Sequence, residues 1–125
     1  MKKKLKNDFK EITQKSKINF KKLKNKTFLI TGANGFVASY IIFFLIFLNN
    51  VYLLNIKLIL IGRNKKKISN KFLNRVSKKF IKVIEQNISD KLKINNKTKI
   101  DYLFHLASHA SAKHFIKKPI ETSLP

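Results

Sequence analysis

The chain has 125 residues, of which 44% are hydrophobic, so it suits one small domain with a modest buried core. It contains no cysteine, which excludes a disulfide framework and thiolate metal sites and leads us to expect a cytoplasmic protein. The net charge of +22 suggests a polyanionic partner, but lysine is spread along the whole chain, so we attribute the charge to compositional drift and expect no specific nucleic-acid partner.

The first segment, residues 1–26, is especially rich in lysine. It carries 11 lysines against two carboxylates. Its apolar residues Leu5, Phe9 and Ile12 lie three to four positions apart, which predicts one short amphipathic helix. We interpret this segment as a basic extension, a solvated appendage to a domain that spans residues 27–125.

From residue 27 onward, strand-like and helix-like segments alternate. The strand candidates are nearly continuous apolar runs, as parallel strands covered on both faces require. This alternation predicts an α/β fold whose strands are joined by helical crossovers. The predicted strands are residues 27–31, 56–62, 80–86 and 101–107, and the predicted helices are residues 35–48 and 70–79.

The longest apolar stretch, FVASYIIFFLIFL, covers residues 36–48. A bilayer span needs about 20 apolar residues. This stretch is shorter, because Asn49 and Asn50 interrupt it. We therefore expect a buried helix of a globular fold and no membrane span.

The loop before this helix, TGANG, holds two of the three glycines, Gly32 and Gly35. A backbone that approaches a pyrophosphate cannot carry side chains at the turn and at the helix start, and glycine meets both needs. Ala38 then supplies a small side chain where helix and strand pack closely. The helix start offers free N–H groups to an anion, which favours a dinucleotide site. The alternative is a plain strand–turn–helix in which the glycines serve geometry alone.

Two motifs carry a resemblance to a known family. TFLITGANGFVAS resembles the first strand and phosphate loop of the nucleotide-sugar epimerase/dehydratase family, the extended short-chain dehydrogenases, and DYLFHLASHAS resembles its fourth strand and following loop. The resemblance covers residues 26–125. It implies a partial Rossmann fold, a doubly wound parallel sheet of about four strands in the order 3-2-1-4. It also implies NAD or NADP as cofactor, a nucleotide-sugar substrate and, for the full-length enzyme, a homodimer.

The resemblance further implies which residues contact the cofactor. The loop residues would line the pyrophosphate, with the backbone amides of Phe36 and Val37 as donors. Asn87 stands where the family usually has an aspartate beside the adenine. Leu106 and the two residues after it would lie under the pyrophosphate and the nicotinamide ribose. The full set is Gly32, Asn34, Gly35, Phe36, Val37, Arg63, Asn87, Ile88, Leu106, Ala107 and Ser108.

The residues after the second strand bear on the choice between the two cofactors. A carboxylate there hydrogen-bonds the ribose 2′-hydroxyl of NAD, whereas a positive group accommodates the 2′-phosphate of NADP. This chain has Gly62, Arg63 and Asn64 followed by three lysines, with no carboxylate to repel the phosphate. NADP is therefore allowed, and we favour it slightly over NAD, with Arg63 at the 2′-phosphate.

The family's chemistry resembles hydride transfer to the cofactor, with a tyrosine base whose pKa is lowered by a lysine four residues on. Each of the three tyrosines, Tyr40, Tyr52 and Tyr102, has an apolar residue at that position. We therefore expect the chain to be the cofactor-binding, N-terminal portion of an epimerase, dehydratase or decarboxylase, without the catalytic pair and inactive alone. The alternative is a non-catalytic basic module that binds nucleic acid or an anionic membrane.

The histidines do not predict a metal site. His105, His109 and His114 have no carboxylate or cysteine at ligand spacing. We interpret His105, which falls within the fourth predicted strand, as a core residue or one that supports a site residue from behind.

Overall fold

The computed structural model describes residues 3–74, 78–86 and 97–106 of the chain. These ranges contain three α-helices and four β-strands, which alternate from the first helix to the third strand. Two short 3-10 turns, Phe20–Leu23 and Lys78–Phe80, precede the first and third strands. The elements are α1 (Lys3–Lys15), β1 (Thr27–Thr31), α2 (Phe36–Tyr52), β2 (Lys57–Gly62), α3 (Lys65–Phe72), β3 (Ile81–Glu85) and β4 (Tyr102–His105).

The four strands form one parallel sheet in the order β3-β2-β1-β4. The chain adds β2 and β3 on one side of β1 and then returns to add β4 on the other side. In this register Leu29 of β1 lies between Ile59 of β2 and Leu103 of β4. The predicted α/β class, the four-stranded parallel sheet in the order 3-2-1-4 and the N-terminal helix are confirmed.

Both faces of the central strands are apolar and buried. Phe28 and Ile30 of β1 belong to the main core together with side chains of α2 and α3. Leu29, which points to the other face, forms a smaller cluster with Ile59 and Ile61 of β2. Strands that alternate between two buried faces must be apolar at nearly every position, which explains why the strand segments read as continuous apolar runs.

Helix α2 is apolar on more than one side. Ile42 and Ile46 are fully buried in the main core, while Tyr40 and Phe44 meet the aromatic ring of Phe9 from α1 at centroid distances of 5.2 Å. No helix in the described ranges is both long enough and apolar enough to cross a membrane. The apolar stretch of residues 36–48 lies within α2 and packs against the main core and against Phe9 of α1.

The interpretation of residues 1–26 as a solvated appendage is wrong at Phe9. This side chain is 0% exposed and is part of the main core. Complete burial of a phenylalanine side chain stabilises a fold by about 1.5–3 kcal/mol, so α1 contributes to the stability of the sheet domain. The lysines of α1 are exposed to solvent, as expected for a solvated segment.

The second predicted helix, residues 70–79, is also wrong in position. Helix α3 begins at Lys65 and ends at Phe72, and its buried face consists of Ile68 and Phe72. The three consecutive lysines at its start do not suggest a helix, but Asn64 caps it: its side-chain oxygen accepts a hydrogen bond from the Lys67 amide. The four predicted strands agree with the observed ones to within two residues at each end.

Candidate functional site

The candidate site lies at the edge of the sheet where the parallel strands end, which we call the carboxyl edge. The loops that follow β1, β2 and β4 all leave the sheet there. At this edge the chain continues from β1 toward β2 on one side, whereas β4 lies on the other side of β1. In open parallel sheets ligands bind in the crevice at such a reversal of strand order.

Residues Gly32 to Gly35 form a tight turn between β1 and α2. Gly32 has a φ of 70°, a left-handed conformation that glycine adopts without steric cost. The Gly35 amide donates to the Gly32 carbonyl oxygen at 2.9 Å, and a Cβ atom on Gly35 would lie only 3.2 Å from that same oxygen. Backbone geometry alone therefore accounts for a preference for glycine at both positions, as the plain strand–turn–helix alternative requires.

The start of α2 is a helix N-terminus without a side-chain cap. Gly35 is the N-cap residue and has no side chain to accept a hydrogen bond from the first turn. The next two residues, Phe36 and Val37, are 89% and 59% exposed. Amides at this position have no acceptor within the helix. They present donors and a partial positive charge, worth about 0.3–1 kcal/mol to a nearby anion.

The start of α3, at the same edge of the sheet, is closed by side chains. Asn64 Oδ1 accepts from the Lys67 amide at 3.0 Å, and Glu85 Oε1, at the end of β3, accepts from the Lys65 amide at 3.0 Å. Two of the amides that an anion would use are therefore already paired. Of these two helix starts, that of α2 is the better anion site.

Glu85 also changes the basis for the choice of cofactor. It is the register partner of Gly62, the last residue of β2. No carboxylate follows β2 in the sequence, as expected, but the neighbouring strand places Glu85 beside the end of β2. The opposite charge is also present, since Arg63 and Lys65 to Lys67 are all exposed.

Gly62 itself has a packing role. A Cβ atom at this position would lie 2.5 Å from Ile68 Cδ1, a fully buried side chain of α3. Glycine at the end of β2 thus allows α3 to approach the sheet. All three glycines of the chain consequently lie at the carboxyl edge.

Asn34 contains a polar atom without a partner. Its side-chain oxygen Oδ1 is buried and accepts no hydrogen bond from any residue that the structure describes. Buried polar atoms are almost always paired, so each exception needs an explanation. Asn34 belongs to the loop that directly precedes α2.

Behind this loop, two side chains hold the first turn of α2. Ser39 Oγ donates to the Gly35 carbonyl oxygen at 2.7 Å, and the Ser39 amide donates to the same oxygen at 2.9 Å. Lys71 Nζ, from α3, donates to Ser39 Oγ. Neither residue was expected from the sequence, because the contact joins two helices and no local pattern indicates it.

The β4 side of the site is described only in part. Thr31 Oγ1 and His105 Nδ1 lie 3.0 Å apart at the ends of β1 and β4, and His105 is half-buried. Leu106 packs against the main core. Four of the expected site residues lie outside the described residues: Asn87, Ile88, Ala107 and Ser108. The structure brings together the loop, the start of α2, Arg63 and Leu106 at one edge.

A search against models of protein families found no match for this chain. A search of curated proteins also found no similar sequence. The resemblance to nucleotide-sugar epimerases and dehydratases therefore rests on the two motifs named above.

Proposed function

We propose that this chain binds a nicotinamide dinucleotide, with the pyrophosphate against the turn of Gly32 and Gly35 and the first turn of α2. One observation carries the proposal. An uncapped helix start follows a glycine turn at the point where β1 lies between β2 and β4. This is the position at which parallel α/β sheets bind dinucleotides.

The residues present suit such a ligand. A pyrophosphate offers oxygen acceptors to the amides of Phe36 and Val37, whose residues are exposed. A side chain at Gly35 would crowd the Gly32 carbonyl oxygen and distort the turn that precedes these amides. A bound nicotinamide supplies a hydride acceptor, while this chain's own residues bind and orient the dinucleotide.

The wider proposal follows from the sequence motifs. The chain serves as the cofactor-binding portion of a nucleotide-sugar epimerase, dehydratase or decarboxylase, which acts as a homodimer on a nucleotide sugar. Arg63 and Lys65 to Lys67 favour the 2′-phosphate of NADP, whereas the Glu85 carboxylate beside Gly62 favours NAD. The dissociation constants of NAD and NADP, measured on the same chain, show whether the basic residues or the Glu85 carboxylate dominates.

The test is a calorimetric titration of the chain with NAD and with NADP, repeated for Gly35→Val. We expect the wild type to bind at least one of them and the variant to lose at least a hundredfold in affinity, because the new side chain crowds the Gly32 carbonyl oxygen and distorts the turn before the amides. Asn49→Ala is the matched control, because it lowers stability at the far end of α2 and leaves the loop intact. Equal affinity of Gly35→Val and the wild type would refute the phosphate-loop assignment.

The second candidate is a basic module that binds polyanions without catalysis. It is favoured by the exposed run from Arg63 to Lys67, which has four cations in five residues. Binding that depends on lysine falls steeply with salt, whereas binding through backbone amides survives moderate ionic strength. A titration with a DNA duplex and with NAD at 50 and 200 mM salt separates the two. An anionic membrane is less favoured, because the apolar residue Phe9 of α1 is already buried against α2.

A further inference from the structure

We infer that Lys71 is a positioning residue for the pyrophosphate of the bound dinucleotide. Its ammonium group binds Ser39, which in turn holds the N-cap residue of α2. The same group adds a positive charge near the first turn of α2, where the anion would bind. This inference rests on the proposed function and names a residue that the phosphate-loop motif does not contain. It predicts that affinity depends on a lysine from the neighbouring helix.

Lys71 differs from most of the lysines around it. Of the lysines whose exposure the structure describes, only Lys26 and Lys71 are half-buried. Lys71 Nζ donates to the hydroxyl of Ser39, a residue that is only 7% exposed. A lysine side chain loses rotamer freedom when it is held in this way, so its position reflects a specific contact rather than the general basic composition of the chain.

The direction of the hydrogen bonds connects Lys71 to the site. An ammonium group can only donate, so Ser39 Oγ accepts from Lys71 and donates its own proton to the Gly35 carbonyl oxygen. That oxygen also accepts from the Ser39 amide. The N-cap is thereby fixed by two donors, and the orientation of the amides that follow it is fixed as well.

The charge of Lys71 acts in the same sense as the helix dipole. Both place positive potential at the start of α2, and partial burial reduces the screening of the ammonium by solvent and salt. Lys71 lies two hydrogen bonds away from the Gly35 carbonyl, so the contribution is directed at the first turn of α2. Exposed lysines elsewhere on the chain are screened and give no comparable local effect.

The experiment measures NAD affinity and its salt dependence for wild type, Lys71→Met, Lys71→Arg and Lys57→Met. Lys57→Met is the matched control, because it removes one exposed positive charge at the opposite edge of the sheet. We expect Lys71→Met to weaken NAD binding about tenfold at both low and moderate salt, because the half-buried charge is little screened. Lys71→Arg should retain most of the affinity, and Lys57→Met should change it less than twofold.

The outcomes separate this inference from the function on which it rests. If the wild type binds neither NAD nor NADP, the proposed function is wrong and the inference falls with it. If the wild type binds but Lys71→Met behaves like Lys57→Met, only the inference is wrong. An equally large loss of affinity in Lys71→Arg and Lys71→Met would show a structural role without a contribution of the charge and would also overturn it. Should Lys71→Met fail to fold, Ser39→Ala breaks the same connection, and an unchanged NAD affinity in that variant would count against the inference.

Discussion

The two ends of α2, which lie at opposite edges of the sheet, differ in how completely side chains pair with the backbone. At the edge where the strands begin, side chains pair with the backbone of the neighbouring segment: Asn49 bonds both the amide and the carbonyl of Ile56, at 2.7 and 2.8 Å. At the carboxyl edge, the first turn of α2 has no side-chain cap and Asn34 Oδ1 has no described partner. We therefore expect the hydrogen bonds at the edge where the strands begin, the first edge, to contribute mainly to stability. We expect the uncapped groups at the carboxyl edge to contribute mainly to ligand binding.

Further contacts support this view of the first edge. The Asn25 amide donates to the Leu54 carbonyl at 2.8 Å, and Asn55 Nδ2 donates to Asn25 Oδ1 at 2.8 Å. Both asparagines have positive φ angles of 62° and 57°, conformations that asparagine tolerates better than most residues. The turn before β1 and the turn before β2 are thus joined to each other.

The largest effect on stability is expected for Asn49→Ala. The substitution leaves the amide and the carbonyl of Ile56 buried without partners and should cost about 2–4 kcal/mol of unfolding free energy. Asn50→Ala, at the exposed neighbouring position, should change it by less than about 0.5 kcal/mol. Urea denaturation measures both. The comparison of the two edges would fail if Asn49→Ala abolished NAD binding in protein that is still folded.

A second prediction concerns the packing role of Gly62. Gly62→Ala should cost about 1–3 kcal/mol, because the new Cβ overlaps Ile68 Cδ1. Ile68→Val removes that atom and alone should cost about 0.5–1.5 kcal/mol. In the double variant, which carries both substitutions, the additional loss of unfolding free energy caused by Gly62→Ala should nearly disappear. Additive losses in the complete cycle would mean that the overlap is relieved in another way and that Gly62 is not needed for packing.

The smallest effect is a dependence of stability on pH through Asp101. Its Oδ2 accepts a hydrogen bond from the Thr27 amide at 2.9 Å, and this bond, helped by the charges of Lys99 and Lys26, holds the pKa of Asp101 below its ordinary value. Because the pKa is lower in the folded state, the stabilisation is present at neutral pH and is lost as the pH falls below about 5.

Thermal melting between pH 7 and pH 3 tests this prediction. The wild type should melt above Asp101→Asn at neutral pH, and the two midpoints should converge as the solution becomes acidic. Parallel curves would show that the Asp101 carboxylate does not contribute through its charge, and this carboxylate would then not belong with Asn49 among the stabilising groups of the first edge.

Local patterns predicted the parts of the fold that depend on neighbours in sequence. The apolar run Thr27–Thr31 and the glycines that follow it indicated a buried strand and a turn, and the structure has both. The start of α3 was missed although its N-cap, Asn64, is a local signal; the second contact at this start comes from Glu85, a residue of a different strand. The hydrogen bond from Lys71 to Ser39 joins residues 32 positions apart, and no periodic pattern in the sequence can predict such a contact.

Phe9 has a consequence for the order in which the chain is made. Helix α1 leaves the ribosome before α2, the helix that buries this ring. Between the synthesis of Lys15 and that of Tyr52 about two to seven seconds pass, at ~5–20 residues per second. Throughout that interval the nascent helix carries an uncovered aromatic side chain. Its lysines repel those of other nascent chains, so the basic composition of α1 protects the protein from association before it has folded.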